Sequence, residues 1–170
     1  DSLNIFFNSR NVNMITKKYG KFDVLYGANG TGNIQNVSNI KSLPKEQDFI
    51  TADGGFDTFD NILEQESKSI PLFLCEVVSA FTSQKVGGAF VMKMFKTDTQ
   101  ASLDLLYILA VHYEMVTISK LVTSKPHDAE RYIICKGFRG IAAQRLEMLY
   151  TCVDLLSQAP LGHIQRLISN

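Results

Sequence analysis

Glu130-Arg131-Tyr132-Ile133-Ile134-Cys135-Lys136-Gly137-Phe138 is the stretch on which the reading of the fold turns. Its centre, Tyr132 to Cys135, has the residues of a buried strand, and a glutamate stands at its head. The preceding strand candidate is Met115 to Leu121. The link between them, from Val122 to Glu130, is shorter than the roughly dozen residues that a parallel crossover needs. If the two strands pair, the last one runs antiparallel.

Working outward, Asp48-Phe49-Ile50-Thr51-Ala52-Asp53 reads as a strand running into Gly54-Gly55. Residues 56–69 read as polar and irregular. Pro71 to Gln84 reads as a helix, with Pro71 in its first turn, Leu74, Cys75, Val78 and Phe81 at helical spacing, and Gly87-Gly88 at its end. Ala89 to Phe95 is a strand whose alternation sets Ala89, Val91 and Lys93 against Phe90, Met92 and Met94. Thr99 to Tyr113 is a second helix, with Leu103, Leu106, Tyr107 and Ala110 on one face. Residues 141–158 form a closing amphipathic helix through Leu146, Leu149, Val153 and Leu156. Short elements are expected at Leu3 to Phe7, Asn11 to Lys18 and Phe22 to Tyr26.

Two helical crossovers make the first three main strands parallel. The start of an antiparallel last strand then lies at the same sheet edge as their carboxyl ends. Asp53, Lys93 and Glu130, far apart in sequence, can meet there. Alone, Asp53 would be an ordinary turn or cap residue and Lys93 a strand-end lysine reaching for water. Together they form an acid–lysine–acid cluster, which is either a structural ion-pair network or a seat for a general base.

The 170 residues and 45% apolar content suit one domain, or part of one, with a real core. Zero net charge argues against nucleic-acid binding by bulk charge. Locally, Lys120, Lys125, Arg131, Lys136, Arg139 and Arg145 face only Asp128 and Glu130, a basic excess suited to RNA phosphates. Cys75, Cys135 and Cys152 lie in apolar periodic segments and read as reduced core thiols. No run reaches membrane-spanning length. Gly27-Ala28-Asn29-Gly30-Thr31-Gly32-Asn33 is a glycine-rich loop with neither P-loop nor dinucleotide-fingerprint spacing.

Several stretches, in this order, resemble the FtsJ-like (RrmJ-like) 2′-O-ribose methyltransferases, and among them the mRNA cap methyltransferases. They are Tyr26-Gly27 with Gly32-Asn33-Ile34, Thr51-Ala52-Asp53-Gly54-Gly55-Phe56, Leu74-Cys75-Glu76, Gly87 to Phe95, Thr123-Ser124-Lys125-Pro126, and Glu130-Arg131-Tyr132 to Phe138. The likeness spans roughly residues 26–138. It implies an α/β, Rossmann-like, S-adenosylmethionine-dependent methyltransferase fold with a mixed sheet and an antiparallel last strand. By resemblance Asp53, Lys93 and Glu130 are three members of a catalytic Lys-Asp-Lys-Glu tetrad, with Lys93 as general base on a ribose 2′-hydroxyl. Gly32, Asn33, Ile34 and Asp53 would contact S-adenosylmethionine, and Lys125, Asp128 and Arg131 the RNA, most naturally capped mRNA. The chemistry calls for no metal.

Two positions depart from the family. Asn33 replaces an aspartate, and Asp128 replaces an asparagine. The family's first lysine and first glycine-rich strand–loop–helix have no counterpart in residues 1–25. Residues 1–170 are therefore expected to be the carboxy-terminal part of one domain. The upstream part would come from the same protein or another chain, and the segment alone would be inactive. The rivals are a degenerate module that binds RNA or a partner protein without catalysis, and a ribosomal-RNA 2′-O-methyltransferase. A composition rich in Asn, Ile and Lys and without Trp fits an AT-rich genome such as that of a large DNA virus, with the cytoplasm, a viral factory or the virion expected ahead of the nucleus.

Overall fold

The computed structural model describes residues 23–55, 65–122, 124, 129–158 and 166–168. The expected elements at Leu3 to Phe7 and Asn11 to Lys18 lie outside these residues, as do Lys125 and Asp128. Helix α1 spans Val37–Lys41, β1 Gln47–Ala52, α2 Gln65–Ser83, β2 Gln84–Phe95, α3 Gln100–His112, β3 Tyr113–Ser119, β4 Glu130–Phe138 and α4 Ala143–Gln158. The strands form one sheet in the order β1-β2-β4-β3. β1 and β2 are parallel, while β4 is antiparallel to both β2 and β3. The mixed α/β sheet expected from the connections is the one observed, and the short link after β3 has the consequence argued for it. Among the described residues no helix is long and apolar enough to cross a membrane.

Burial alternates along β2. Phe90, Met92 and Met94 are fully buried, and Lys93 points to the other face. The core joins these residues to Ile133 and Cys135 of β4 and to Ile70, Phe73, Leu74, Val77 and Val78 of α2. Helix α2 is apolar almost all round because it is buried almost all round. Against α2 lies α4, where Val153 and Tyr150 are buried and Leu146, Leu149 and Leu156 half-buried, as its periodicity predicts. The Tyr150 and Thr82 hydroxyls share a 2.8 Å hydrogen bond across this contact.

Several local expectations are corrected. Asp23 to Tyr26 is irregular rather than a strand. Residues 65–69 are helical, so α2 starts upstream of Pro71 and carries the proline inside it. Buried Ser69, Ile70 and Glu66 require the extra turn, and their packing outweighs the hydrogen bond that proline cannot donate. Gly87-Gly88 does not end the helix. It lies within β2, where Lys85 to Gly88 bulge against Asp48 while Gln47 pairs with Gln84 and Phe49 with Ala89. Gly87 has φ +84°, and a Cβ on Gly88 would lie 3.0 Å from the Asp48 carbonyl oxygen.

Of the four apolar residues read onto one face of α3, Leu106 alone packs against the core. Ala101, Leu105 and Leu109 are fully buried, whereas Leu103 and Tyr107 are 48% and 63% exposed and Ala110 is also outside. The helix is apolar on both faces, so periodicity could not choose between them. Its rotation is fixed instead at its N-terminus. One oxygen of buried Glu66 accepts hydrogen bonds from the Asp98 and Thr99 amides and from the Thr99 and Ser102 hydroxyls. Of the cysteines, Cys75 and Cys135 are buried, but Cys152 is exposed on α4 rather than in the core.

Candidate active site

Strand register brings the three expected residues together. Ala52 pairs with Met92, so Asp53 leaves β1 beside Lys93. Lys93 pairs with Tyr132, and Glu130 opens β4 opposite Phe95. The Lys93 ammonium forms an ion pair with Asp53 Oδ1, and Glu130 Oε1 is 3.8 Å from its Nζ. The Lys93 side chain is 19% exposed and that of Glu130 26%, while Asp53 is 70% exposed at the mouth. Burial pulls the Lys93 pKa down, but the Asp53 hydrogen bond and the charges of Asp53 and Glu130 outweigh it. Lys93 therefore titrates above its ordinary value. The Phe95 ring, with its centroid 5.8 Å from Nζ, adds an aromatic face.

Glu130 is held by two hydroxyls that the sequence reading gave no role. Ser124 Oγ donates to Oε2 at 3.2 Å, and the Tyr132 hydroxyl donates to Oε1 at 3.0 Å. Tyr132 lies two residues after Glu130, so β-alternation puts both on one face. That spacing was a readable signal. The hydrogen bond to Glu130 raises the Tyr132 pKa and keeps the phenol protonated. Behind Asp53, the Gly54 amide donates to Glu76 Oε1 at 2.7 Å from α2. Burial pushes the Glu76 carboxyl up to about 8; the Gly54 hydrogen bond and Lys93 oppose the rise, and Asp53 adds to it.

The glycine-rich loop is built around Asn39 of α1, which is 3% exposed. Its Oδ1 accepts from the Asn29 amide at 3.0 Å, and its Nδ2 donates to Thr31 Oγ1 at 3.2 Å and to the Asn33 carbonyl at 2.9 Å. Gly27, Gly30 and Gly32 have φ between +71° and +76°. At Gly27 a Cβ would fall 2.4 Å from Asn39 Oδ1, so the loop closes on Asn39 only as glycine. Asn33 Oδ1 is engaged by the Gln35 amide at 2.9 Å. Its Nδ2 still has N–H donors for a ring nitrogen such as adenine offers. Ile34 beside it packs against the core.

Among the described residues the basic side chains do not form one patch. Lys120 and Arg131 flank the Glu130 edge, and the Arg131 guanidinium bends back to the Glu130 carbonyl at 2.9 Å. On the strand Arg131 alternates with Glu130 and so belongs to the face opposite Lys93. Lys136 and Arg139 lie toward the far end of β4, about 20 Å away at the usual rise per residue. Arg145 is on α4. Of the five that the structure describes, Lys136 and Arg139 thus lie away from the Glu130 edge.

Comparison with known proteins agrees with this architecture. A sequence profile of the FtsJ-like methyltransferase family matches residues 7–138. Over 122 residues, 66% of this chain, the sequence is 37% identical to cap-specific mRNA (nucleoside-2′-O-)-methyltransferase 1 of Dictyostelium discoideum, and covers 16% of that protein. It is 34% identical to the enzyme of the same name from Trypanosoma cruzi over 80% of this chain and 39% of that one. A ribosomal RNA methyltransferase from Plasmodium falciparum shares the fold, with a TM-score of 0.51 at 21% identity over 78% of this chain and 81% of that one. The chain thus spans well under half the length of these curated relatives. It belongs to the FtsJ-like methyltransferase family.

Proposed function

We propose, with membership of the FtsJ-like methyltransferase family as the premise, that this chain carries the base side of an RNA 2′-O-methyltransferase site and that its substrate is capped mRNA. The observation that carries the proposal is Lys93, held between Asp53 and Glu130 at the carboxyl edge of the parallel strands, where α/β sheets present their ligands. Gly32, Asn33, Ile34 and Asp53 are the residues to hold S-adenosylmethionine, with the Asn33 amide suited to the adenine edge. That cofactor, when bound, supplies a methyl group on a sulfonium, which departs as a neutral thioether.

Lys93 Nζ takes the proton of the ribose 2′-hydroxyl as the hydroxyl oxygen forms its bond to the methyl carbon. Asp53 and Glu130 fix the lysine in line and balance its charge once it is protonated. At rest those carboxylates hold Lys93 as ammonium. The lysine must lose that proton before it can act. A further positive charge brought beside it would favour the loss, which is the role open to the family's first lysine. Among the described residues β1 pairs only with β2, and its Phe49 is 60% exposed. We take the active unit to be larger than this chain, with an upstream segment of the same protein or another chain along β1. Lys125 and Asp128 are the proposed RNA contacts, and Arg131, on the face opposite Lys93, is not one of them.

The test is methyl transfer by the full-length protein on capped and uncapped RNA, together with cofactor titration. The wild type should bind S-adenosylmethionine and prefer capped RNA. Lys93→Ala should lose about 10²–10⁴-fold in rate with binding retained. Absence of cofactor uptake would instead identify a binding module. Equal rates on the two RNAs would remove the cap assignment and favour a ribosomal or other RNA substrate.

A further inference from the structure

Glu76 is a carboxylic acid inside the core, 4% exposed, on a helix whose neighbouring residues Leu72, Phe73, Leu74, Cys75, Val77 and Val78 are all buried and apolar or nearly so. Its two oxygens differ. Oε1 accepts the Gly54 amide at 2.7 Å. Oε2 is buried and makes no hydrogen bond among the described residues. A carboxyl group in this position is a poor structural choice, since an apolar side chain would pack there without an unmet polar atom. What it does accomplish is at Gly54. A Cβ on that residue would sit 2.6 Å from Oε1 and 3.0 Å from Leu72, so only glycine lets the backbone come close enough to be gripped. Gly54 directly follows Asp53, and among the described residues no hydrogen bond to another element fixes the exposed Asp53 side chain apart from the Lys93 pair.

We infer that Glu76 is a positioning residue: from inside the core it grips the Gly54 amide and so fixes the turn that carries Asp53 against Lys93. The inference rests on the reading of Asp53 and Lys93 as catalytic. It adds a buried support that acts on the site through the backbone. The high carboxyl pKa fits this role. A neutral acid can hold the amide without placing a third negative charge behind Lys93. The charged groups facing it are Asp53 and Lys93, with the Cys75 thiol beside it on the same helix.

The experiment uses three variants of the full-length protein, with steady-state methyl transfer, thermal melting and amide exchange at Gly54 as readouts. Glu76→Met fills the same space without an acceptor. It should melt within a few degrees of wild type, lose about 10–100-fold in kcat through misplacement of Asp53, and leave KM for RNA within about twofold. Its Gly54 amide should exchange faster. Glu76→Gln keeps an acceptor at Oε1 and should restore most of the rate and the exchange protection. Glu76→Met with wild-type kcat and a protected Gly54 amide would overturn the inference, as would a Glu76→Gln variant no better than Glu76→Met. If Glu76→Met does not fold, Glu76→Gln alone decides, since loss of Gly54 protection in that variant refutes the grip. Lys93→Ala is the third variant. If it stays fully active, the catalytic reading fails, and Gly54 exchange still reports on Glu76.

Discussion

Helix α2 carries two buried glutamates ten residues apart, Glu66 and Glu76, and they are used in opposite ways. Glu66 gives one oxygen to four donors at the start of α3. It neutralises the free amides of that helix and sets its rotation. Glu76 gives one oxygen to a single amide and leaves the other without a partner among the described residues. The first is a four-fold acceptor that holds two helices together. The second keeps an unmet polar atom at a place where the chain turns into the site. A buried acid that gathers so many donors explains itself by stability. One with a bond left over calls for another reason, and proximity to Asp53 and Lys93 supplies it.

The difference can be broken experimentally, and the largest effect is expected at Glu66. Glu66→Ala removes four hydrogen bonds at once and leaves the part-buried Asp98 and Thr99 amides unpaired, so chemical denaturation should show a loss of about 3–5 kcal/mol. A loss under 1 kcal/mol would mean that α3 caps itself through Thr99. The next effect is the pH dependence of stability. The Glu76 carboxyl is raised from 4.5 to about 8 by burial. Between those values the folded chain holds a proton that the unfolded chain has lost. Stability should therefore fall as pH rises across that window, by an amount on the order of a few kcal/mol, and level off above it. Denaturation midpoints from pH 4.5 to 9 measure this, and Glu76→Gln should remove that slope.

Matched amide substitutions sharpen the contrast further. At pH 8.5, Glu66→Gln should destabilise by about 1–2 kcal/mol through loss of charge at a helix start, whereas Glu76→Gln should stabilise. Equal signs would erase the distinction between the two acids. The smallest effect is expected at Glu147, whose ion pair with Lys41 at 3.0 Å is open to solvent. Glu147→Gln should shift stability by less than about 0.5 kcal/mol, which sets the floor against which the buried acids are judged.

Much of the site was legible because it follows from connectivity. The short link from Val122 to Glu130 leaves no room for a crossover, so the last strand had to turn back, which brings Glu130 to the edge where Lys93 lies. The alternation through Phe90 to Met94 already set Lys93 apart from the core. What could not be read was rotation and register. Helix α3 is apolar on both faces, and only the distant Glu66 decides which one is buried. Gly87-Gly88 looks like a helix stop in sequence, yet it bulges within β2 because Gln84 already pairs with Gln47. Residues 65–69 are polar enough to pass for a loop. Glu76 was visible as an acid inside an apolar helix, but its partner Gly54 is 22 positions away. The support of the glycine loop by Asn39 is long-range in the same way.

Strand β4 lies between β2 and β3, although both are translated before it. The strands that will flank it can share no hydrogen bonds with each other, so the half of the sheet beyond β2 stays open until residues 130–138 emerge. At about 5–20 residues per second, ribosomal synthesis places Glu130 roughly 2–7 s after Lys93. During that interval Lys93 has one carboxylate and no Tyr132 strand beside it. The site cannot ripen gradually on the ribosome; it appears in one late step, when the last strand is inserted.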